Sequence, residues 1–286
     1  MPGGLNSGHD RKEVSMTRVP PNKNGSADPP AKAKPLTFKR VNYGRGHGYK
    51  DGNGNKIPGV TTILGAGLAK PALMAWGIKS VAQYAIDHWD DLAAKPVSAR
   101  LEELKGSPYA DRDAAANRGT EVHSYAERLM RGEEVTPPDA IRGHVESYVK
   151  FLDEWEPEPV LVEASVANFR VGYAGSLDMV VKIPRLGDGL FIADIKTSRS
   201  GIFGEVAFQL AAYANAEWYL KDGDMKYMPE IDRGLAIHVR ADGYDVYELP
   251  IGREVFRQFE YIAQVAKAVE LAKDYVGAPL RVEDGK

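Results

Sequence analysis

Two short stretches of the 286-residue chain carry residues whose types and spacing could do hydrolytic chemistry: Gly175-Ser176-Leu177-Asp178 and Ile192-Ala193-Asp194-Ile195-Lys196. In the second, the two-residue period of a strand puts Asp194 and Lys196 on one face with Ile192 below them. Ile195 points the other way and can anchor the strand in a core. A carboxylate and an ammonium on a mostly apolar strand are costly to bury without a partner or a task. Asp178, at the end of the preceding strand, could bring a second carboxylate to the same place. Two aspartates and a lysine suit hydrolysis of a phosphodiester. The carboxylates hold a hard divalent cation such as Mg2+, and the cation polarises a phosphoryl oxygen and acidifies water. The lysine orients that water or offsets charge developing on the phosphate. Taken alone, the Asp–Lys pair could equally be an ordinary ion pair at a strand end.

These residues need elements to position them. The Pro-, Gly-, Asn-, Ser- and Lys-rich segment 1–36 has scarcely any large apolar residue and reads as a disordered basic tail. A region of hairpin and helices should follow over 37–110. It begins with strand-like residues 36–49 and the turn Asp51-Gly52-Asn53-Gly54-Asn55, which leads to Val60-Thr61-Thr62-Ile63-Leu64. The run Gly44-Arg45-Gly46-His47-Gly48 is not a phosphate loop, because no Gly-Lys-Ser/Thr follows. Apolar residues Leu73, Trp76, Val81, Ile86 and Trp89 recur at helical spacing over 71–92. Further helices are expected at about 111–130 and 138–155. From residue 159 the period changes to that of strands, over 159–167, 173–183 and 190–196. A helix at about 203–220, strands near 234–240 and 244–249, and a helix over 253–275 complete an α/β pattern with a mixed sheet, the core spanning 111–286.

Composition sets outer limits. Hydrophobic residues make up 43% and charged residues 27%, enough to build an ordinary core. No apolar run reaches the roughly 20 residues of a membrane-crossing helix, and no secretory signal is apparent, so neither a membrane partner nor export is expected. The absence of cysteine excludes disulfides, thiolate zinc sites and any iron–sulfur cluster, and fits a cytoplasmic setting. Net charge is −3, a weak vote against nucleic acid that its distribution softens: residues 1–50 hold ten Lys/Arg and only three acids.

The order Gly-x-x-Asp, turn, Asp-x-Lys resembles the signature of the PD-(D/E)XK nuclease superfamily. Two further stretches are similar to motifs of its RecB/Cas4-like exonuclease branch, phage members included. Gly119-Thr120-Glu121-Val122-His123 matches Gly-x-x-x-His on the helix before the sheet, and Gln209-Leu210-Ala211-Ala212-Tyr213 matches Gln-x-x-x-Tyr on the helix after the Asp-x-Lys strand. The likeness runs over about residues 57–220 and takes in Leu73-x-x-Trp76. It implies a restriction-endonuclease-like core, a mixed central sheet flanked by helices, with an added N-terminal helical region. It also implies Mg2+ or Mn2+ held by His123, Asp178, Asp194 and the carbonyl of Ile195, with Lys196 positioning the attacking water. Gln209 and Tyr213, four apart, share a helix face that in the family borders the active site and meets the DNA backbone. Glu127 and Glu163 are spare carboxylates, and Glu163 is expected on the solvent side of an edge strand. Arg118, Lys182 and Arg199, and more remotely Arg112 and Lys79, could touch phosphates, but each is expected to be a solvated surface residue. The implied activity is a DNA exonuclease in phage or bacterial recombination or repair, with a single-strand-binding or annealing protein as a natural partner by analogy. An endonuclease on the same fold and a catalytically silent DNA-binding protein are the alternatives. A carbohydrate hydrolase using Asp178 and Asp194 leaves Lys196 and His123 unexplained.

Overall fold

In the computed structural model, residues 37–44 and 46–280 are described; the basic segment 1–36 lies outside the described residues. A small antiparallel sheet comes first: β1 (Phe38–Tyr43), β2 (Gly46–Asp51) and β3 (Lys56–Ile57). The turn before β3 forms around Asp51, whose carboxylate accepts from the amides of Asn53 and Asn55. Helices α1 (Val60–Gly67), α2 (Pro71–Asp87), α3 (Trp89–Ala93), α4 (Val97–Met130) and α5 (Asp139–Trp155) follow. The large sheet is built from β4 (Glu158–Asn168), β5 (Tyr173–Lys182), β6 (Phe191–Lys196), β7 (Trp218–Lys221), β8 (Asp224–Tyr227), β9 (Arg233–Arg240) and β10 (Gly243–Leu249). Helix α6 (Glu205–Ala214) connects β6 to β7, and α7 (Arg253–Ala272) closes the described chain.

The seven strands lie in the order β10-β9-β6-β5-β4-β7-β8. The pair β6–β9 is parallel and the other pairs are antiparallel, so the sheet is mixed, as the pattern predicts. Alternation along the central strands sends side chains into two cores. On one face Ile192, Val180 and Ala236 meet α1, α6 and α7 through Val60, Leu64, Leu210 and Phe259. On the other, Ala193, Ile195, Leu235 and Ile237 meet α4 and α5 through Ala126, Met130, Tyr148 and Phe151. Helices thus cover both faces, and β6 sits deep between the two layers. Among the described residues no helix is long and apolar enough to cross a membrane.

Three elements differ from the expectation. The helix expected from 203 to 220 stops at Ala214, because Asn215 turns its side-chain amide onto the carbonyls of Ala211 and Ile251. Residues 218–227 become the hairpin β7–β8, where Trp218 stacks on Tyr227 with ring centroids 4.2 Å apart. The helix expected to begin at residue 111 begins at Val97, so the boundary expected at 110 falls inside α4. Pro108 does not break it. Proline has no amide for the Leu104 carbonyl, and the Ser107 hydroxyl donates to that carbonyl instead, at 3.0 Å. The apolar spacing of 71–92 does make a helix, yet α2 buries none of its residues, and Leu73, Trp76 and Ile86 are exposed. Periodicity signals a helix; it does not supply a partner for the apolar stripe.

Candidate metal centre and catalytic cluster

The site forms where β5 and β6 stop pairing. Their ladder runs from Val181↔Phe191 through Val180↔Ile192 to Met179↔Ala193 and ends there. Past that point the Ile195 amide faces Asp178 rather than a backbone carbonyl, and it donates to Asp178 Oδ2 at 2.8 Å. This bond fixes the first carboxylate. On its other side β6 stays paired with β9 as far as Lys196↔His238, so the strand remains rigid while one edge opens. His238, buried, donates from Nε2 to the Ser198 carbonyl at 2.7 Å and holds the start of the loop after β6.

Helix α4 brings His123 from one side, its Nδ1 3.4 Å from Asp178 Oδ2. The helix can come this close because residue 119 is glycine. A Cβ there would stand 3.2 Å from the Thr197 hydroxyl, just beyond β6. Helix α6 brings Gln209 from the opposite face. Gln209 Nε2 donates to Asp194 Oδ1 at 2.8 Å, and Gln209 Oε1 accepts from Lys196 Nζ at 3.2 Å. Asp194 Oδ2 forms a short, buried ion pair with Lys196 Nζ at 2.6 Å. Tyr213, one helical turn after Gln209, is buried and lies flat against Gly175, where a Cβ would come within 2.4 Å of its ring. Burial and the Asp194 charge hold its phenol far above the usual range, hence neutral. At Ile195 the amide is engaged with Asp178; the carbonyl is the group the resemblance assigns to metal.

A residue that the sequence reading misplaced completes the cluster. Glu163 is not on an edge strand. In the sheet order β4 lies between β5 and β7, which pairs with it at Val166 and Ala167. Because Val162 pairs with Met179 and Ala164 with Leu177, Glu163 stands directly across from Asp178. Its φ is +51°, a left-handed conformation that a glutamate adopts only when the surroundings impose it. Donor atoms of His123, Glu163 and Asp178 all lie within 4.8 Å of one another. One signal could have found Glu163: a carboxylate inside the run Val160–Ala164 breaks an apolar strand as Asp194 does. Glu127, the other spare carboxylate, is paired with Arg131 at 2.7 Å.

The electrostatics are those of carboxylates crowded together beside His123 and Lys196. Burial raises the Glu163 carboxyl, and repulsion from Asp178 and Glu127 takes it further, to about 7. Burial and the Asp178 charge push Asp194 up as well, against the pull of Lys196. Asp178 goes down instead: burial opposes this, but His123 beside it and the Ile195 amide prevail. Burial would depress the His123 imidazole; the Asp178 carboxylate overrides it and holds the ring at about 9. Lys196 is raised because Asp194 outweighs its burial, so it stays an ammonium. An imidazole and carboxylates converging to within ligand reach, beside the buried Asp194–Lys196 pair, form a donor set that suits a hard divalent cation.

No family model matches the sequence, and no curated protein matches it. Among solved structures, one described as "Crystal structure of SSO0001" overlaps 49% of this chain and 63% of its own length, with 19% identity and a TM-score of 0.27. So partial an overlap bears on neither fold family nor activity.

Proposed function

We propose that the protein is a divalent-metal-dependent DNA nuclease with a restriction-endonuclease-like core, of the RecB/Cas4-like PD-(D/E)XK branch. The observation that carries this reading is the meeting of His123, Glu163 and Asp178 beside the Asp194–Lys196–Gln209 network, at the open end of one strand pair. His123, Asp178, Asp194 and the Ile195 carbonyl, joined by Glu163, would hold Mg2+ or Mn2+. Such an ion supplies Lewis acidity, which activates water and polarises a phosphoryl oxygen.

The chain's own residues do the rest. Lys196 carries a fixed positive charge toward the reacting phosphate, where it orients water and offsets developing negative charge. Gln209 holds Asp194 and Lys196 in register by bonding to both. The Ile195 amide keeps Asp178 aimed and ionised. His123 must give up its proton before it can ligate, and the incoming positive charge favours that loss. Exonuclease action on DNA ends is the activity expected, in recombination or repair.

The test is digestion of end-labelled linear and closed circular DNA with Mg2+ or Mn2+, wild type beside Lys196→Ala and Asp194→Asn. Loss of linear DNA alone, abolished in both variants, is the expected result. Cutting of the circle keeps the chemistry but makes the enzyme an endonuclease. If wild type cuts neither substrate with any divalent ion yet retards DNA in a gel, the protein is a DNA-binding module and the catalytic reading is wrong.

A further inference from the structure

Next to Lys196 and Gln209 the protein has a cavity of about 300 Å³, whose lining does not include His123, Glu163 or Asp178. Three pieces of chain build it. The first is α1, through Leu64 and Thr61, the part of the Val60–Leu64 motif that the catalytic cluster leaves unexplained. The second is the loop between β6 and α6, through Ile202 and Phe203. The third is α6 itself. The α1 wall is firmly seated. The Ala174 amide bonds to the Pro58 carbonyl just before α1, and α1 packs so closely on α7 that a Cβ at Gly67 would stand 2.5 Å from the Ile262 carbonyl oxygen. Lys70 pairs with Glu205 at 3.1 Å, and apolar Leu64, Ile202, Phe203 and Val206 share the remaining wall with polar Thr61, Ser198, Lys196 and Gln209. Phe203 lies in this wall with 53% of its surface exposed, an aromatic ring without cover beside a charged cluster.

Resting on the nuclease reading above, we infer that this cavity seats one unpaired nucleobase of the strand being cut, with Phe203 as its stacking surface. The occupant must be joined to whatever lies at Lys196, because the cavity and the cluster share that residue and Gln209. A phosphate at Lys196 leaves room for one neighbouring nucleoside and no more: the volume is at the lower end for ligand sites, too small for a base pair. Apolar and aromatic walls favour a flat base, whose π-face stacks regardless of its identity. A base can enter only after leaving its partner, so the preferred substrate is a single strand or a duplex end with an unpaired nucleotide at the cut.

The experiment uses the full chain carrying Asp194→Asn to stop cleavage, with Mg2+ and a single-stranded 12-mer that contains 2-aminopurine. Quenching of the fluorescent base at one position is expected, with binding weakened about tenfold or more by adding Phe203→Ala and restored by Phe203→Trp. Replacing that one nucleotide by an abasic unit should weaken binding to the otherwise unaltered protein to a similar degree, an arm that needs no change at Phe203. Wild-type enzyme should also cut a duplex with a frayed terminal pair several-fold faster than a fully paired one. If the oligonucleotide binds and wild type cuts, but neither Phe203→Ala nor the abasic unit changes affinity or fluorescence, the base seat is refuted while the nuclease stands. If wild type cuts no DNA and the 12-mer does not bind, the nuclease reading fails and this inference falls with it.

Discussion

Glu163→Gln separates a ligand from a bystander, because it should stabilise the metal-free protein and weaken its response to metal. The carboxyl sits at about 7 instead of its ordinary 4.5, through burial and then repulsion from Asp178 and Glu127. That displacement corresponds to about 3 kcal/mol, reduced to about 2 kcal/mol because the side chain is partly exposed. The sign follows from proton binding. A raised carboxyl means that the folded state holds its proton more tightly than the unfolded one, so stability falls as pH rises from 4.5 to 7. Glutamine, nearly the same shape and uncharged, escapes that loss. In chelator at pH 8 the variant should therefore melt higher than wild type, by ~4–8 °C for a domain of this size, and the gap should vanish near pH 4. With Mn2+ the order should reverse, since binding to the native state stabilises only the protein that keeps the ligand. Thermal melts at the two pH values, with chelator and with Mn2+, make the measurement. A variant that melts no higher than wild type at pH 8 without metal, and gains as much as wild type with it, would refute both the repulsion and the ligand role.

Two further outcomes can be checked. His123, held at about 9 against burial by Asp178, contributes stability that is full below its ordinary 6.5 and is lost as pH rises through 9. Urea midpoints in chelator should thus fall between pH 6.5 and 9 in wild type, and His123→Asn should flatten that fall; parallel slopes would disprove the pairing with Asp178. Gly175→Ala should cost about 1–3 kcal/mol, because the added methyl meets the buried Tyr213 ring at 2.4 Å. Denaturant unfolding measures it, and a cost near zero would mean that the ring is free to move.

What could be read without the fold was whatever depends on local period. Asp194 and Lys196 share a strand face because alternation is a property of the strand alone, and the change from helical to strand spacing near residue 159 announced a mixed α/β sheet. Glycines 119 and 175 stood in the quoted motifs, but their reason is tertiary: α4 passes Thr197 there, and Tyr213 lies on Gly175. The end of α6 at Asn215 and the passage of α4 through Pro108 turned on side-chain hydrogen bonds, among them those to Ile251 and Leu104, that no periodicity records. Glu163 shows the limit best. Its run reads as an edge strand with one face toward solvent, whereas β7 pairs onto β4 farther along, at Val166 and Ala167, and the face carrying Glu163 turns toward Asp178 and the His123 of α4. Strand order is set by which edges meet in space, and that is decided by segments far apart in the chain. The sequence by itself determined the chemistry available on β6; the tertiary structure decided which carboxylate stands across from Asp178.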